Sequence, residues 1–238
     1  MNAYLQPAYL LHSRAYRETS LLLELLTKEF GRVGLVARGA RRSRSNGKAL
    51  LQPFQPLIVS WRSRGELGTL TAVERKGITH ALEGNRIAAG FYINELIYKL
   101  IVRDDPNPNL YVCYDQAVRD LSIGNRVEVT LRRFEKKLLD ELGYGLILDH
   151  EVNTGSLIES HKLYHYQMEA GPIETRATSA TTTEIHGATL LGMLNDKLET
   201  KQQLMESKHL LRAILQHYLG NTIIRSRELI ISEEQQRS

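Results

Sequence analysis

The chain has 238 residues, 42% of them apolar, with 31 Lys and Arg against 27 Asp and Glu and a single cysteine, Cys113. That length and apolar share allow one large domain or two ordinary ones, each with a core. One thiol excludes a disulfide framework and a four-thiolate zinc site built from this chain alone, and points to a reducing compartment.

No run approaches the roughly 20 apolar residues of a membrane span, and Met1 to Pro7 lack the charged-then-apolar pattern of a signal peptide. A soluble, cytoplasmic protein with no membrane partner is expected. The charge is segregated: residues 1–80 carry thirteen Lys and Arg against five Asp and Glu, a balance of +8 in a chain whose total is +4. Residues 81–238 are therefore −4, and the basic first third has the electrostatic footprint of a module for nucleic acid or another anionic surface.

Pro7 to His12 and Ser20 to Thr27 read as strands joined by a polar link. Leu21 to Leu26 also suits a helical turn, but the turn residues Glu29 to Arg32 follow directly and Val33 to Val36 reads as a third strand. Next comes the stretch Arg38 to Lys48, with Arg38, Arg41, Arg42, Arg44 and Lys48 and no acid. Cations this close repel one another unless an anion lies against them, and Arg suits bidentate phosphate contact. The alternative is a solvated loop. Leu57 to Trp61, a turn at Arg62 to Gly65, and Leu67 to Val73 complete five short strands, the count of a small closed barrel such as an OB-fold, with an SH3-like barrel also open.

From Gly84 the periodicity turns helical. One helix ends at Asp104-Asp105-Pro106, and a second starts near Asn109 with Cys113, read as an inert buried thiol, on or near its inner face. A third, Asn125 to Leu142, sets Val127, Leu131, Phe134, Leu138 and Leu142 on one stripe, capped by Gly143. Arg126, Arg132, Arg133, Lys136 and Lys137 fall on the opposite arc, with Leu139 at its border. That arc is either a solvated face or a second anion-facing site. His161 to Ala177 suggests a small hairpin, whose His161 and His165 have no third metal ligand in view. Thr181 to Glu184 looks like a capping box opening a helix from Ile185 to Leu198. Another helix runs from Ser207 to Leu219, and the tail from Ser232 is expected to fray. The fold class is thus α+β, an N-terminal five-stranded barrel over 1–80 and a mostly helical domain with a β-hairpin insertion over 81–238.

No phosphate loop, dinucleotide fingerprint, nucleophile elbow or H-E-x-x-H helix is present, which argues against an enzyme. Several short runs, in order, carry a resemblance. They are His12-Ser13-Arg14 with Glu18-Thr19-Ser20, Gly31-Arg32-Val33, Ala37 to Arg41, Leu51-Gln52-Pro53-Phe54, Tyr92 to Leu96, Leu131 to Glu135, Leu142 to Gly145, and Ser226 to Leu229. Together they resemble the RecO family of bacterial DNA repair proteins, most weakly between about residues 150 and 205.

The resemblance implies an OB-fold followed by a helical domain. It also implies a recombination mediator that binds single- and double-stranded DNA, anneals complementary strands and, with RecR, helps load RecA on DNA coated by SSB. Many relatives hold zinc through four cysteines; this chain lacks them, so no cofactor and no metal are carried over. DNA contacts are expected from Arg38, Arg41, Arg42, Arg44 and Lys48, with Arg14, Arg17, Arg32, Arg62 and Arg64 extending the track. Tyr16, Phe54 and Trp61 are candidates to stack on bases, the last two reading better as core. RecO-like proteins also dock the acidic, apolar-ended SSB tail, for which Arg132 is the leading contact, with Arg133, Lys136 and Leu139 beside it. An RNA-binding OB protein and a protein-interaction scaffold remain as alternatives.

Overall fold

A computed structural model of the chain describes residues 2–42, 47–63, 65–77, 81–174 and 182–229, with 47, 48 and 182 in backbone alone. Two compact units result, one formed by the chain up to Gly124 together with the segment from Ile223 onward, the other by Asn125–Thr222.

The first unit is built on a closed barrel of β1 (Asn2–Tyr16), β2 (Ser20–Thr27), β3 (Gly31–Ala37), β4 (Leu57–Ser63) and β5 (Gly68–Arg75) in the order β1-β2-β3-β5-β4, with β4 returning to β1. The β3 and β5 strands run parallel at Leu35↔Gly68 and Val36↔Thr69, and every other barrel pair is antiparallel. This is the OB-like arrangement. A one-turn helix, α1 (Gly47–Leu50), stands where the sequence suggested loop as far as Lys48.

Leu23, Leu25, Val33, Leu35, Leu57, Val59 and Trp61 fill the barrel, and Phe30 meets Trp61 edge to face with ring centroids 5.2 Å apart. A side chain at Gly68 would come within 2.6 Å of Leu35 and 3.0 Å of Trp61, so the parallel seam closes only around glycine there. The β2 strand is buried on both faces, since Leu22, Glu24 and Leu26 are as inaccessible as Leu23 and Leu25. A strand covered on both sides reads as a continuous apolar run rather than an alternation, which is why Leu21 to Leu26 also resembled a helical turn.

The outer cover is α2 (Asn85–Leu100), followed by α3 (Pro108–Ser122). The β1 strand serves two neighbours, β4 with its first half and β2 with its second, and it bends through irregularities between Ala3 and Gln6 and between Leu10 and His12. At the second, Leu11 is the extra residue of a bulge. The buried Asn94 of α2 donates its amide to the Leu10 and Leu11 carbonyls at 3.3 and 3.1 Å, and its own oxygen accepts from the Tyr114 hydroxyl of α3 at 2.7 Å. Nearby, Tyr9 donates to Asp115 at 2.5 Å, and Asp115 faces Arg119 at 2.9 Å. Because α2 and α3 seal the barrel this way, the compact unit ends at Gly124, later than the residue-80 boundary expected from composition.

The Ser226-Arg227-Glu228 segment returns to α2. The Glu95 carboxylate accepts from the backbone amides of Arg225 and Ser226 at 3.1 and 2.8 Å and from the Ser226 hydroxyl at 2.6 Å, while Ile224 is buried. The tail expected to fray from Ser232 lies outside the described residues.

In the second unit α4 (Val127–Glu141) leads to a three-stranded sheet of β6 (Leu163–Gln167), β7 (Gly171–Ile173) and β8 (Thr182–His186) in the order β7-β6-β8, then to α5 (Gly187–Leu194) and α6 (Lys201–Leu219). Two expectations change here. The hairpin is a three-stranded sheet, and the stretch given as a capping box is its third strand: Thr183, Glu184 and Ile185 pair with Tyr166, His165 and Tyr164. The β-branched threonines and the fully buried Ile185 suit a pleated position, and this outweighs the capping pattern. The capping box occurs instead at Thr200 and Gln203, so α6 begins six residues before the expected Ser207.

Replacing Asn94 by Leu keeps the volume but strands two carbonyls and a phenol in the interior. With about 1–3 kcal/mol for each of the three stranded groups, a loss of at least about 3 kcal/mol in unfolding free energy is expected by chemical denaturation.

The Glu95 clasp has a pH signature. Burial disfavours its charge, but the Ser226 hydroxyl and amide, the Arg225 amide and the Lys99 charge outweigh burial and hold its pKa below the usual carboxylate value. A lowered folded-state pKa makes the clasp fully stabilising above the unfolded value, ~4.3, and weaker as pH falls below it. Amide exchange at Arg225 and Ser226 should quicken, relative to the barrel amides, as pH drops through that range, and Glu95→Gln should remove the dependence.

Candidate nucleic-acid interface

The β1–β2 connection turns at Arg17, which takes a left-handed φ of 52° and lays its guanidinium 5.2 Å from the centre of the Tyr16 ring. The Arg41 amide donates to the Thr19 carbonyl at 2.9 Å, and its guanidinium reaches the Arg17 and Glu18 carbonyls at 3.2 Å each. Arg41 therefore clamps the turn through neutral acceptors, and its charge is not cancelled. Between this clamped turn, the end of β3 and the start of β5 lies an open hollow lined by Tyr16, Arg17, Arg38, Arg42, Leu67 and Thr69. Arg17, Arg38 and Arg42 are all exposed. The hollow thus combines three cations with a half-buried aromatic ring, hydroxyls from Thr19 and Ser20, and the partly exposed backbone of Gly39.

Of the basic residues singled out from the sequence, Arg17, Arg38 and Arg42 line the hollow and Arg41 braces it. Arg14 is exposed on β1 two residues before Tyr16, on the same face of the strand. Arg44 and Arg64 lie outside the described residues, as does the side chain of Lys48, and Arg62 is exposed on β4.

Arg32 is elsewhere. Its guanidinium meets Glu24 at 2.8 Å and the Ile101 carbonyl at 2.9 Å, and Arg103 bonds the same carboxylate from the other side. With side-chain exposure of 14% for Arg32 and 4% for Glu24, this is a buried charge group that fastens the 101–105 segment to β2 and β3, not part of a surface track. Trp61 and Phe54 are buried, as their core reading had it, and Tyr16 alone of the three aromatics reaches the hollow.

The second candidate site changes more. On α4 the supposed solvated arc is largely covered: Arg132 and Lys136 are 7% and 8% exposed, Glu135 is 1% and Leu139 is fully buried. Periodicity along one helix sees one core face, whereas α4 is also covered from the α5 side. Arg132 forms a bidentate pair with Glu135 at 2.6 and 2.7 Å. Lys136 donates to the Met193 carbonyl at 2.6 Å and to Asp196 at 2.7 Å.

These contacts frame a small recess lined by Val129, Arg132, Arg133, Lys136, Met193 and Leu198, with Asp196 at its edge. Three of the four residues named for this site meet there, and Leu139 does not. The apolar lining was missed because Met193, near the end of α5, and Leu198, in the link after it, arrive from about sixty residues downstream, which no local pattern on α4 encodes.

Cys113, the single cysteine, is half-buried. A chain with one cysteine does not fit a four-cysteine zinc centre, and among the described residues no three His, Cys, Asp or Glu side chains gather to hold a metal. Nor is any helix among them long and apolar enough to cross a membrane.

Comparison with known proteins bears on both units. The family model for the N-terminal domain of recombination protein O matches residues 1–78, and that for its C-terminal domain matches residues 81–228. The DNA repair protein RecO of Methylococcus capsulatus is 44% identical over 228 residues, covering 96% of this chain and 93% of its own length. Those of Nitrosospira multiformis and Nitrosococcus oceani are 42% and 43% identical, covering 94% and 97% of this chain and 93% and 94% of their own. With an OB-like barrel bearing a cationic hollow, a helical region after it, and both family models matched in order, this chain belongs to the RecO family, with a role in DNA repair and recombination.

Proposed function

We propose that the protein is a non-enzymatic recombination mediator that holds single- and double-stranded DNA by its phosphates. In this reading it anneals complementary strands and works with RecR to load RecA on SSB-coated DNA. One observation carries the DNA-binding step: Arg17, Arg38 and Arg42 surround one open hollow beside Tyr16, with Arg41 fixing the turn that presents them. Guanidinium contacts to phosphate and an aromatic face do not distinguish bases, so binding is independent of sequence.

The recess on α4 supports the SSB-tail step. A peptide that is acidic with an apolar end needs cations beside an apolar pocket, and Arg132, Arg133 and Lys136 stand beside Val129, Met193 and Leu198. The Glu135 fork pre-orients Arg132 and partly offsets its charge, which leaves the partly exposed Arg133 as the more accessible electrostatic contact.

Two measurements test these assignments. Replacing Arg38 and Arg42 by Ala should weaken single-strand binding at every sequence and reduce the slope of log K against log salt by about 1.4, at ~0.7 per lost phosphate contact. An unchanged slope and affinity would remove the hollow from the binding surface, and RNA bound in preference to DNA of equal length would remove the DNA assignment. Arg32→Ala is the contrast. It should leave the slope of the folded protein intact while costing up to about 3 kcal/mol of stability, since Arg103 still faces Glu24. For the recess, Arg133→Glu should weaken a labelled SSB-tail peptide tenfold or more, about 1.4 kcal/mol, with circular dichroism and DNA binding unchanged. Equal peptide affinity would place the tail elsewhere.

A further inference from the structure

The C-terminal ends of α4 and α6 flank a hollow that the proposed function leaves unused. After Leu142 the chain leaves α4 through Gly143, at a φ of 83°, and the Tyr144 amide turns back to donate to the Leu139 carbonyl at 2.8 Å. That turn lays the Tyr144 ring on Tyr218 of α6, with centroids 3.7 Å apart and planes 14° from parallel. Beside the stacked pair lies a hollow of about 290 Å³ whose lining includes Tyr144, Ile147, Tyr166, Glu169, Ile214 and Tyr218. Its size is near the lower end for ligand pockets, ~300–1,000 Å³, and suits one inserted side chain.

Most of this lining is uncharged. Ile147 and Ile214 are aliphatic, and the buried Tyr166 phenol, bonded to the Ile147 backbone, is pushed up to about 12 by burial. Glu169 is the acid. It sits in the β6–β7 turn at a φ of 62°, a left-handed conformation that glycine adopts more readily, and its side chain is 65% exposed. One carboxylate oxygen faces His217 Nε2 at 2.9 Å, and the other has no partner among the described residues. Burial and then the Glu169 charge raise the Tyr218 phenol above its ordinary value, which puts that charge against the ring pair. Among the described lining residues none is Lys or Arg. A stack that served only to brace α4 against α6 has no need of solvent, yet Tyr144 is 43% exposed.

We propose that this hollow is a protein-docking site that takes an exposed arginine side chain of a partner peptide. A flat guanidinium stacks on a tyrosine face and forks to a carboxylate, while its methylene stem covers the aliphatic wall. A nucleotide base also suits a ring face, but the phosphates of its strand would meet Glu169 and no cation of the lining. The site takes a cation, where the barrel hollow and the α4 recess are built for anions, and it stands whether or not those assignments hold.

The test uses the full-length chain with labelled isoleucine methyls. It is titrated with N-acetyl-argininamide and with N-acetyl-citrullinamide, in which a neutral urea of the same shape replaces the guanidinium. The arginine probe should move the Ile147 and Ile214 signals to saturation. The citrulline probe should bind at least about fivefold more weakly, the scale of one cation–π contact and one exposed ion pair. Glu169→Gln, an exposed change that still accepts from His217, should weaken the arginine probe about threefold. Tyr144→Leu should weaken it by a similar factor, with circular dichroism checking that both variants fold. No saturable shift with arginine, equal affinity for the two probes, or an arginine affinity that neither variant lowers overturns the site. Thymidine monophosphate moving the same signals at lower concentration than arginine overturns the peptide reading in favour of a base.

Discussion

The Asn94 side chain holds together features that would otherwise conflict. A five-stranded barrel closes only if β1 bends sharply enough to pair with β2 and β4, and the bulge at Leu11 helps supply that bend. A bulge leaves backbone carbonyls without a ladder partner, and these lie under α2, where water is excluded. One amide answers two of them, and the Tyr114 hydroxyl satisfies that amide's own oxygen, so strand, covering helix and the next helix are joined by a single satisfied network. The barrel and the two helices behind it therefore form one compact body, although sequence composition and the family models both divide near residue 80.

Arginine does three different jobs in the first unit, and only its surroundings tell them apart. Arg32 neutralises a buried acid, Arg41 spends its hydrogen bonds on a turn while keeping its charge, and Arg38 and Arg42 stand at the rim of the hollow. In the second unit Arg132, locked to Glu135, repeats the first of these jobs.

Much of this was legible in the sequence. The five strands, the helical region after them and the basic stretch at Arg38 to Arg42 follow from periodicity, turn residues and unpaired charge. Arg32 was misplaced because it reads as one more cation in a basic region. The contrary signal was Glu24, an acid inside the apolar run Leu21 to Leu26, which in a strand buried on both faces requires a cation on a neighbouring element. On α4 the wheel assigned one buried stripe, but covering a second flank depends on contacts with α5, which no local pattern encodes. At Thr182 to His186 two local signals competed, capping chemistry and β-branched pairing, and the open edge of β6 decided between them.

The parallel contact between β3 and β5 consists of two residue pairs, whereas β2 and β3 pair over seven. It is the thinnest seam in the barrel wall, and Val36, Gly68 and Thr69, which form part of it, also line the cationic hollow. A nucleic-acid strand seated there, as proposed above, would span the seam like a splint, from the clamped β1–β2 turn on one side to the start of β5 on the other. Occupancy and barrel rigidity would then be linked in both directions: a ligand that stiffens the seam binds more tightly to a barrel in which the seam is already closed.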